Sequence, residues 1–379
     1  MNLRNAVAVV GTGCTKFGEL YDRSAEDLVC DAALEAMGDA GIEPERIEAA
    51  WVGTQMSTFA GDALADPLKL FGKPVTRVQN YCASGMDAFR NAVLAVAAGA
   101  YDVVLAVGFE KMRDGGFGRP NRSHPVLDFG ERAPHIFALA ANRYFQTYGA
   151  DKRTLAAVAV KNHRHGMKSP KAHLRMEITD DAVLRAPLVY SPLGVFDCCP
   201  TTDGAAAAVV CRADEARSFR GDPIYVRGIG LAVASGQPYY KPSFDYLGFP
   251  ATQAAARSAY EQAGVGPADV DFAEVHDCFT ITEIINYEDL GFCRRGEGGR
   301  FVEEGRASLG GERPVNVSGG LKSFGHPIGA TGMRMIYELT QQLQGRAGER
   351  QVATARLGLA HNLGGPAAVA CVSILSNEK

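Results

Sequence analysis

Apolar residues follow two rhythms along the chain. Short unbroken runs at 6–10, 49–52 and 103–107 predict buried strands. Between them, residues 25–40 place apolar side chains at helical spacing and stop at Gly41, and 86–98 reads as a small-residue helix ended by Gly99. Helices are also expected at 137–148 and 153–164, and strands at 270–275 and 369–375. Strands alternating with helices predict an α/β fold.

Part of this pattern occurs twice. Residues 32–42, Ala-Ala-Leu-Glu-Ala-Met-Gly-Asp-Ala-Gly-Ile, are echoed at 255–265, Ala-Ala-Arg-Ser-Ala-Tyr-Glu-Gln-Ala-Gly-Val. Pro44 then matches Pro267, and Val52 matches Val275. Farther on, Ala83-Ser84-Gly85-Met86 is echoed by Ala330-Thr331-Gly332-Met333, and both stretches open a helix. Two echoes in the same order imply a duplicated unit of long period. The chain divides into halves at 1–225 and 226–379. A stretch at about 113–190, rich in Arg, Lys, His and Pro, reads as an insert in the first half. A length of 379 residues suits two core-forming units.

Composition narrows the class. At 46% hydrophobic and 22% charged the chain is globular, and a net charge of −4 offers no broad basic field for nucleic acid or an anionic membrane. No apolar run approaches the about eighteen residues of a membrane-spanning helix, and the start reads as a strand, not a signal peptide. Nine scattered cysteines without a CxxC pair suit a reducing cytoplasm better than a disulfide framework.

Most cysteines in such a chain are small buried hydrophobes. Cys82 is different. It joins an apolar segment to a helix, and its place in the first helical turn would use unpaired N–H groups and the helix dipole to favour the thiolate. Two further loops supply acid–base groups. His276-Asp277-Cys278-Phe279 follows a strand, where α/β folds place chemistry; His276 can donate to an oxyanion and Cys278 can move a proton. His326, in Gly325-His326-Pro327-Ile328-Gly329, occupies the repeat-equivalent of the Cys82 loop, so the two helix starts could face each other. A fourth stretch, His361-Asn362-Leu363-Gly364-Gly365-Pro366, could bring backbone N–H groups to a substrate oxygen, or be a plain hairpin turn. No second Cys/His pair at zinc spacing accompanies these residues, so no metal is expected. Val10-Gly11-Thr12-Gly13 begins like a dinucleotide loop, but Lys16 stands where GxGxxG needs its third glycine. His163-Arg164-His165 reads as an exposed helix face. Basic residues Lys161, Arg164, Lys168, Lys171 and Arg175 read either as a solvated face or as a cover for phosphates.

Together Cys82-Ala83-Ser84-Gly85, His276-Asp277-Cys278-Phe279, Gly325-His326-Pro327 and His361-Asn362-Leu363-Gly364 resemble the thiolase superfamily over essentially the whole chain. The resemblance implies a duplicated, five-layered α-β-α-β-α fold with an inserted loop region and a dimer or dimer of dimers. Ordinary thiolases carry Asn-Glu-Ala-Phe and a C-terminal Cys-x-Gly loop. The His276–Phe279 loop and His361 depart from both and look like the sterol-carrier-protein-2-type branch, and Asp197-Cys198-Cys199-Pro200 also looks like that branch. That branch implies Cys82 as acyl carrier, His326 as its activator, His276 and His326 as oxyanion donors and Cys278 as proton carrier. Asn362, Leu363 and Gly364 would belong to an oxyanion or substrate loop, and Lys168 and Lys171 would meet the CoA phosphates. Coenzyme A and acyl-CoA would be substrates, with no resident cofactor. Some relatives associate with a small zinc-ribbon/OB-fold protein. A thiolase-like aldolase or acetyltransferase, and a non-catalytic acyl-CoA-binding subunit, are the competing readings.

Overall fold

The computed structural model describes residues 4–57, 61–114, 133–234 and 243–379. Its strands are β1 Val7–Cys14, β2 Ala49–Gly53, β3 Val75–Val78, β4 Val103–Glu110, β5 Leu188–Tyr190, β6 Leu193–Gly194, β7 Gly204–Arg212, β8 Ile224–Val233, β9 Phe272–Val275, β10 Leu357–Gly364 and β11 Val369–Ser376. Apart from the small β5–β6 hairpin they form one sheet in the order β3-β2-β4-β7-β1-β8-β11-β10-β9. Read outward from β1 and β8, this order is palindromic. Parallel β2–β4 matches parallel β9–β10, and antiparallel β4–β7 and β7–β1 match β10–β11 and β11–β8. Among the described strands only β3 lacks a full counterpart; its equivalent shrinks to the parallel bridge Ala273–Val315. The two sets of strands meet where β1 pairs with β8, at Ala8–Tyr225 and Val9–Ile224.

Both faces of each half-sheet are covered, which explains the unbroken apolar runs. Along β4, Val103, Leu105 and Val107 pack outward against the Ala25–Ala40 helix, while Val104 and Ala106 face the molecule's centre. The central layer is the helix pair Ser84–Ala97 and Thr331–Leu343, which touch each other and the strands around them. The Pro250–Ala263 helix covers β8 and β11 from outside. Five layers result, α-β-α-β-α, as the resemblance implied. The echo extends to backbone angles: Gly41 and Gly264, which end the outer helices, both adopt φ +68°.

Contrary to its loop-like sequence, Gly11-Thr12-Gly13 lies within β1. A Cβ on Gly13 would lie 2.1 Å from Ala32 O, and one on Gly11 2.2 Å from Ala36 O. The second half repeats the device, Gly230 against Ala255 O at 2.0 Å and Gly228 against Ala259 O at 2.3 Å. These glycines let a helix backbone lie on a strand, which also accounts for the alanines in the sequence echo.

Between β4 and β7 the chain forms helices Ala133–Tyr148, Lys152–Gly166 and Asp180–Arg185 and the β5–β6 hairpin; residues 115–132 of the expected insert lie outside the described residues. The Lys152–Gly166 helix does not ride on the surface. Buried Asn162 donates to Asp277 Oδ2 at 2.8 Å and to Glu283 Oε2 at 2.6 Å, so this helix underpins the His276–Phe279 loop. Among the described residues no helix is long and apolar enough to cross a membrane.

Gly13→Ala and Gly230→Ala are each expected to cost about 1–3 kcal/mol by overpacking. Gly38, inside the Ala25–Ala40 helix with open space for 4 Å around the position of an added methyl, is the control; Gly38→Ala should gain about 0.5–1 kcal/mol. Urea denaturation curves of the three variants check both signs.

Candidate active site

The Cys82 loop is a strained turn. Tyr81 adopts φ +52°, the left-handed region that non-glycine residues avoid. The turn is tied by Ser84, whose hydroxyl donates to Tyr81 O at 2.5 Å and accepts from Asn80 N at 2.8 Å. The Asn80 amide in turn donates to Asp87 Oδ2 at 2.5 Å. The helix starts at Ser84 with Ala83 as its cap, so Cys82 stands just ahead of the helix and not in its first turn. Its sulfur accepts hydrogen bonds from its own N–H and from Gly365 N–H. Burial outweighs these donors and pushes the thiol up to about 11, with Glu110 adding to the rise. The expected lowering at a helix start therefore does not occur; at neutral pH Cys82 is a thiol.

Cys82 Sγ and one ring nitrogen each of His276 and His326 lie within 4.8 Å of one another. The two rings meet edge to face, centroids 5.1 Å apart. His276 follows β9 directly, and its Nδ1 lies 3.0 Å from Asn362 Nδ2, an amide nitrogen that can only donate. That fixes the His276 proton on Nε2, which suits a hydrogen-bond donor and not a metal ligand. His326 Nδ1 lies 2.6 Å from Thr331 Oγ1. Burial pushes His276 well below the usual histidine range and His326 down to about 3, reinforced in both by the cations Lys322 and Arg334. Both rings are neutral, each with one protonated and one bare ring nitrogen.

The His326 turn is held in a glycine socket on the first half. A Cβ on Gly85 would lie 2.2 Å from Gly329 O, one on Gly108 2.3 Å from the same atom, and one on Gly329 2.5 Å from Gly53 O. Glu110 clamps the arrangement. Its carboxylate, fully buried, accepts from Thr54 Oγ1 at 2.8 Å, Gln55 N at 3.0 Å, Met56 N at 2.9 Å and Gly329 N at 3.0 Å. The two helix starts thus face each other, with Gly332 close against Met86.

Cys278 is buried behind His276, its Sγ 4.0 Å from Thr282 Oγ1, and burial pushes its pKa well above the usual thiol range. Its carbonyl accepts from Lys322 Nζ at 2.9 Å and from Cys199 N at 2.9 Å. Lys322 also donates to Asp197 O at 2.5 Å, leaving a buried ammonium with carbonyl partners beside the loop. Asp277 points away from Cys82, accepting from Leu321 N at 2.6 Å and Asn162 Nδ2 at 2.8 Å. Glu110, Lys322 and Cys199 join the site without having been expected there. The signals they carry in sequence are slight: a lone acid ending an apolar strand, and a lone lysine in Gly319-Gly320-Leu321-Lys322.

The stretch 361–367 is a hairpin between β10 and β11 that also packs on the Cys82 turn. Leu363 and Gly364 lie in the ladder, paired with Ala370 and Val369. Gly365, one residue farther on, presents its N–H to Cys82. Asn362 orients His276, and His361 is turned away, Nε2 2.9 Å from Thr252 Oγ1. The basic stretch is also revised. Lys161 is buried, 2.6 Å from Glu283 Oε1. Lys171 pairs with Glu35 Oε1 at 2.5 Å and donates to Cys14 O; Lys168 is partly exposed. His163 and His165 are buried, not exposed: their helix packs between neighbours, and His165 bridges Asn316 O at 2.9 Å and Leu309 N at 3.0 Å.

Residues 7–214 match the family model "Thiolase, N-terminal domain" and residues 234–377 match "Thiolase C-terminal domain-like". An acetyl-CoA acetyltransferase of Methanothermobacter thermautotrophicus is 41% identical over 381 residues, spanning 98% of this chain and 99% of that protein. A sterol carrier protein 2 of Rattus norvegicus is 37% identical over 386 residues, spanning 96% of this chain and 71% of that protein. Of solved structures, the Ltp2-ChsH2(DUF35) aldolase matches with TM-score 0.89 and 27% identity, covering 100% of this chain and 99% of that one. Human mitochondrial 3-ketoacyl-CoA thiolase matches in fold, with TM-score 0.74 at 19% identity over 100% of both chains.

Because the resting Cys82 is a thiol of pKa about 11, its alkylation by iodoacetamide should quicken about tenfold per pH unit between about pH 8 and 10. Peptide mass spectrometry across that range checks it. A rate that levels off below about pH 8 would contradict a protonated resting thiol.

Proposed function

The chain belongs to the thiolase family, and from that premise we propose that it is a CoA-dependent acyltransferase: it cleaves a 3-oxoacyl-CoA with CoA, or runs the reverse Claisen condensation, through acyl-Cys82. The observation that carries this reading is the cluster itself. A thiol, two neutral imidazoles and two inward-pointing N–H groups converge on one point. Identity of 41% over nearly the full length to an acetyl-CoA acetyltransferase supports acetyl transfer in particular.

The steps follow from the geometry. His326 takes the Cys82 proton, and the thiolate attacks the keto carbon. Gly365 N–H and Cys82 N–H, already aimed at the sulfur, receive the oxyanion that forms beside it. The adduct collapses by breaking the bond between the α and keto carbons. The departing thioester enolate is held by the Nε2–H of His276 and by protonated His326, and its carbon takes the Cys278 proton. Incoming CoA gives its thiol proton to the Cys278 thiolate and attacks the acyl group. Cys82 leaves as thiolate and recovers its proton from His326. The buried ammonium of Lys322 favours each anion in turn. Burial of Cys278 is what makes its proton slow to leave except to a strong base such as an enolate.

Coenzyme A and acyl-CoA are substrates in this scheme. Lys168, partly exposed, is the remaining candidate for the CoA phosphates. The edge strand β3 ends the sheet beside the Cys82 loop, and its free edge among the described residues supports a homodimer joined there. The division near 225 is supported by β8, Ile224–Val233, which starts the second set of strands, with the boundary just before Ile224. A second reading has its own observation: a shape match of TM-score 0.89 to the Ltp2-ChsH2(DUF35) aldolase. Carbon–carbon cleavage without an acyl-enzyme, aided by a partner protein, would use the same pocket.

Steady-state thiolysis of acetoacetyl-CoA tests the assignment. Cys82→Ala should abolish it, and His276→Ala should lose about a hundred- to a thousandfold in kcat. Cys278→Ala should be impaired in both directions. Full thiolysis by Cys82→Ala would refute the acyl-enzyme, whereas CoA-independent cleavage of a 3-hydroxyacyl-CoA would favour the aldolase reading.

A further inference from the structure

The repeat places two hydroxyls at equivalent points, Ser84 and Thr331, each the first residue of its central-layer helix. In the first half the bonding is unambiguous. Ser84 accepts from a backbone N–H, Asn80 at 2.8 Å, and donates to a carbonyl, Tyr81 O at 2.5 Å. Thr331 also has a carbonyl neighbour, four residues back where that of Ser84 is three, Pro327 O at 3.0 Å, and its other contact is His326 Nδ1 at 2.6 Å. A hydroxyl has one proton. If it goes to the carbonyl, as in the twin, the ring nitrogen must be the donor.

We propose that Thr331 is a positioning residue that holds the His326 proton on Nδ1, leaving Nε2 as a bare acceptor. Asn362 does the opposite for His276, holding its proton on Nε2. The two rings, 5.1 Å apart and both buried, then cannot exchange roles: one can only accept a proton and the other only donate a hydrogen bond. Charge does not separate them, because burial keeps both neutral. The choice of tautomer does, and the hydroxyl and the amide behind the rings make that choice. This deepens the functional reading above and rests on His326 being the base.

Nitrogen-15 NMR of histidine-labelled protein reads the tautomers directly. In the wild type, His326 should show the pattern of an Nδ1–H ring and His276 that of an Nε2–H ring. Thr331→Val keeps the shape and removes the acceptor. It should shift His326 to Nε2–H, leave His276 unchanged, and lower kcat about a hundredfold with little change in KM. Thr331→Ser should restore both. A merely structural threonine would lower the melting temperature without moving the tautomer. The proposal is overturned if wild-type His326 is already Nε2–H, or if Thr331→Val leaves tautomer and kcat unchanged. Should Thr331→Val fail to fold, the wild-type spectrum alone decides. The functional reading fails separately, through absence of an acyl group on Cys82, whatever the tautomers are.

Discussion

Two helix starts are pressed together at the centre of the molecule, and almost everything in the site depends on that contact. Gly85 and Gly329 approach so closely that a methyl on the first would lie 2.2 Å from the carbonyl of the second. One helix start carries Cys82 and the other His326, so the contact sets the distance between the thiol and the imidazole. It also joins residues from opposite halves of the chain, which the shared central layer of a duplicated fold brings together. Glu110 holds the contact from one side with four accepted hydrogen bonds, and the Gly365 hairpin closes it from another. Burial raises the pKa of that carboxyl, and the donors around it oppose the rise by satisfying the anion.

The same burial that makes the contact sets the electrostatics. A cysteine near a helix start in water would be acidified. Here loss of solvent outweighs the N–H donors, and Cys82 rises to about 11 while His326 falls to about 3. Neither an ion pair nor a resting thiolate is stable. The pair is poised as neutral partners, and ionisation awaits a substrate whose developing charge can be met by the N–H groups and by Lys322.

Much of this is legible in the sequence. The helical spacing of 25–40 and its echo around 255–265 mark both outer helices, because an alanine face repeating every three to four residues has little alternative to lying flat on a sheet. The loops of Cys82, His276 and His326 are recognisable because small residues and proline mark chain reversals. What stays hidden is whatever depends on the third dimension. Gly11 and Gly13 look like a loop because glycine is usually read as conformational freedom; here it marks closeness to Ala32 and Ala36. Lys161 and Lys171 look like a basic cover because a sequence shows charge but not its partner; both are paired with glutamates. The backbone N–H that bears on Cys82 belongs to Gly365, one residue past Gly364, because the register of a hairpin is set by pairing across it. The sign of the Cys82 shift is hidden because desolvation depends on residues from the other half of the chain.

The most direct test is to mix the protein with acetoacetyl-CoA, quench it, and map acyl adducts by peptide mass spectrometry. One acetyl group is expected, on Cys82, removed when excess CoA is added and absent from Cys82→Ala. Turnover without any adduct, or an acetyl group carried by Cys199 or Cys278 while Cys82 stays free, would contradict the assembly of a nucleophile, a base and an oxyanion site around Cys82.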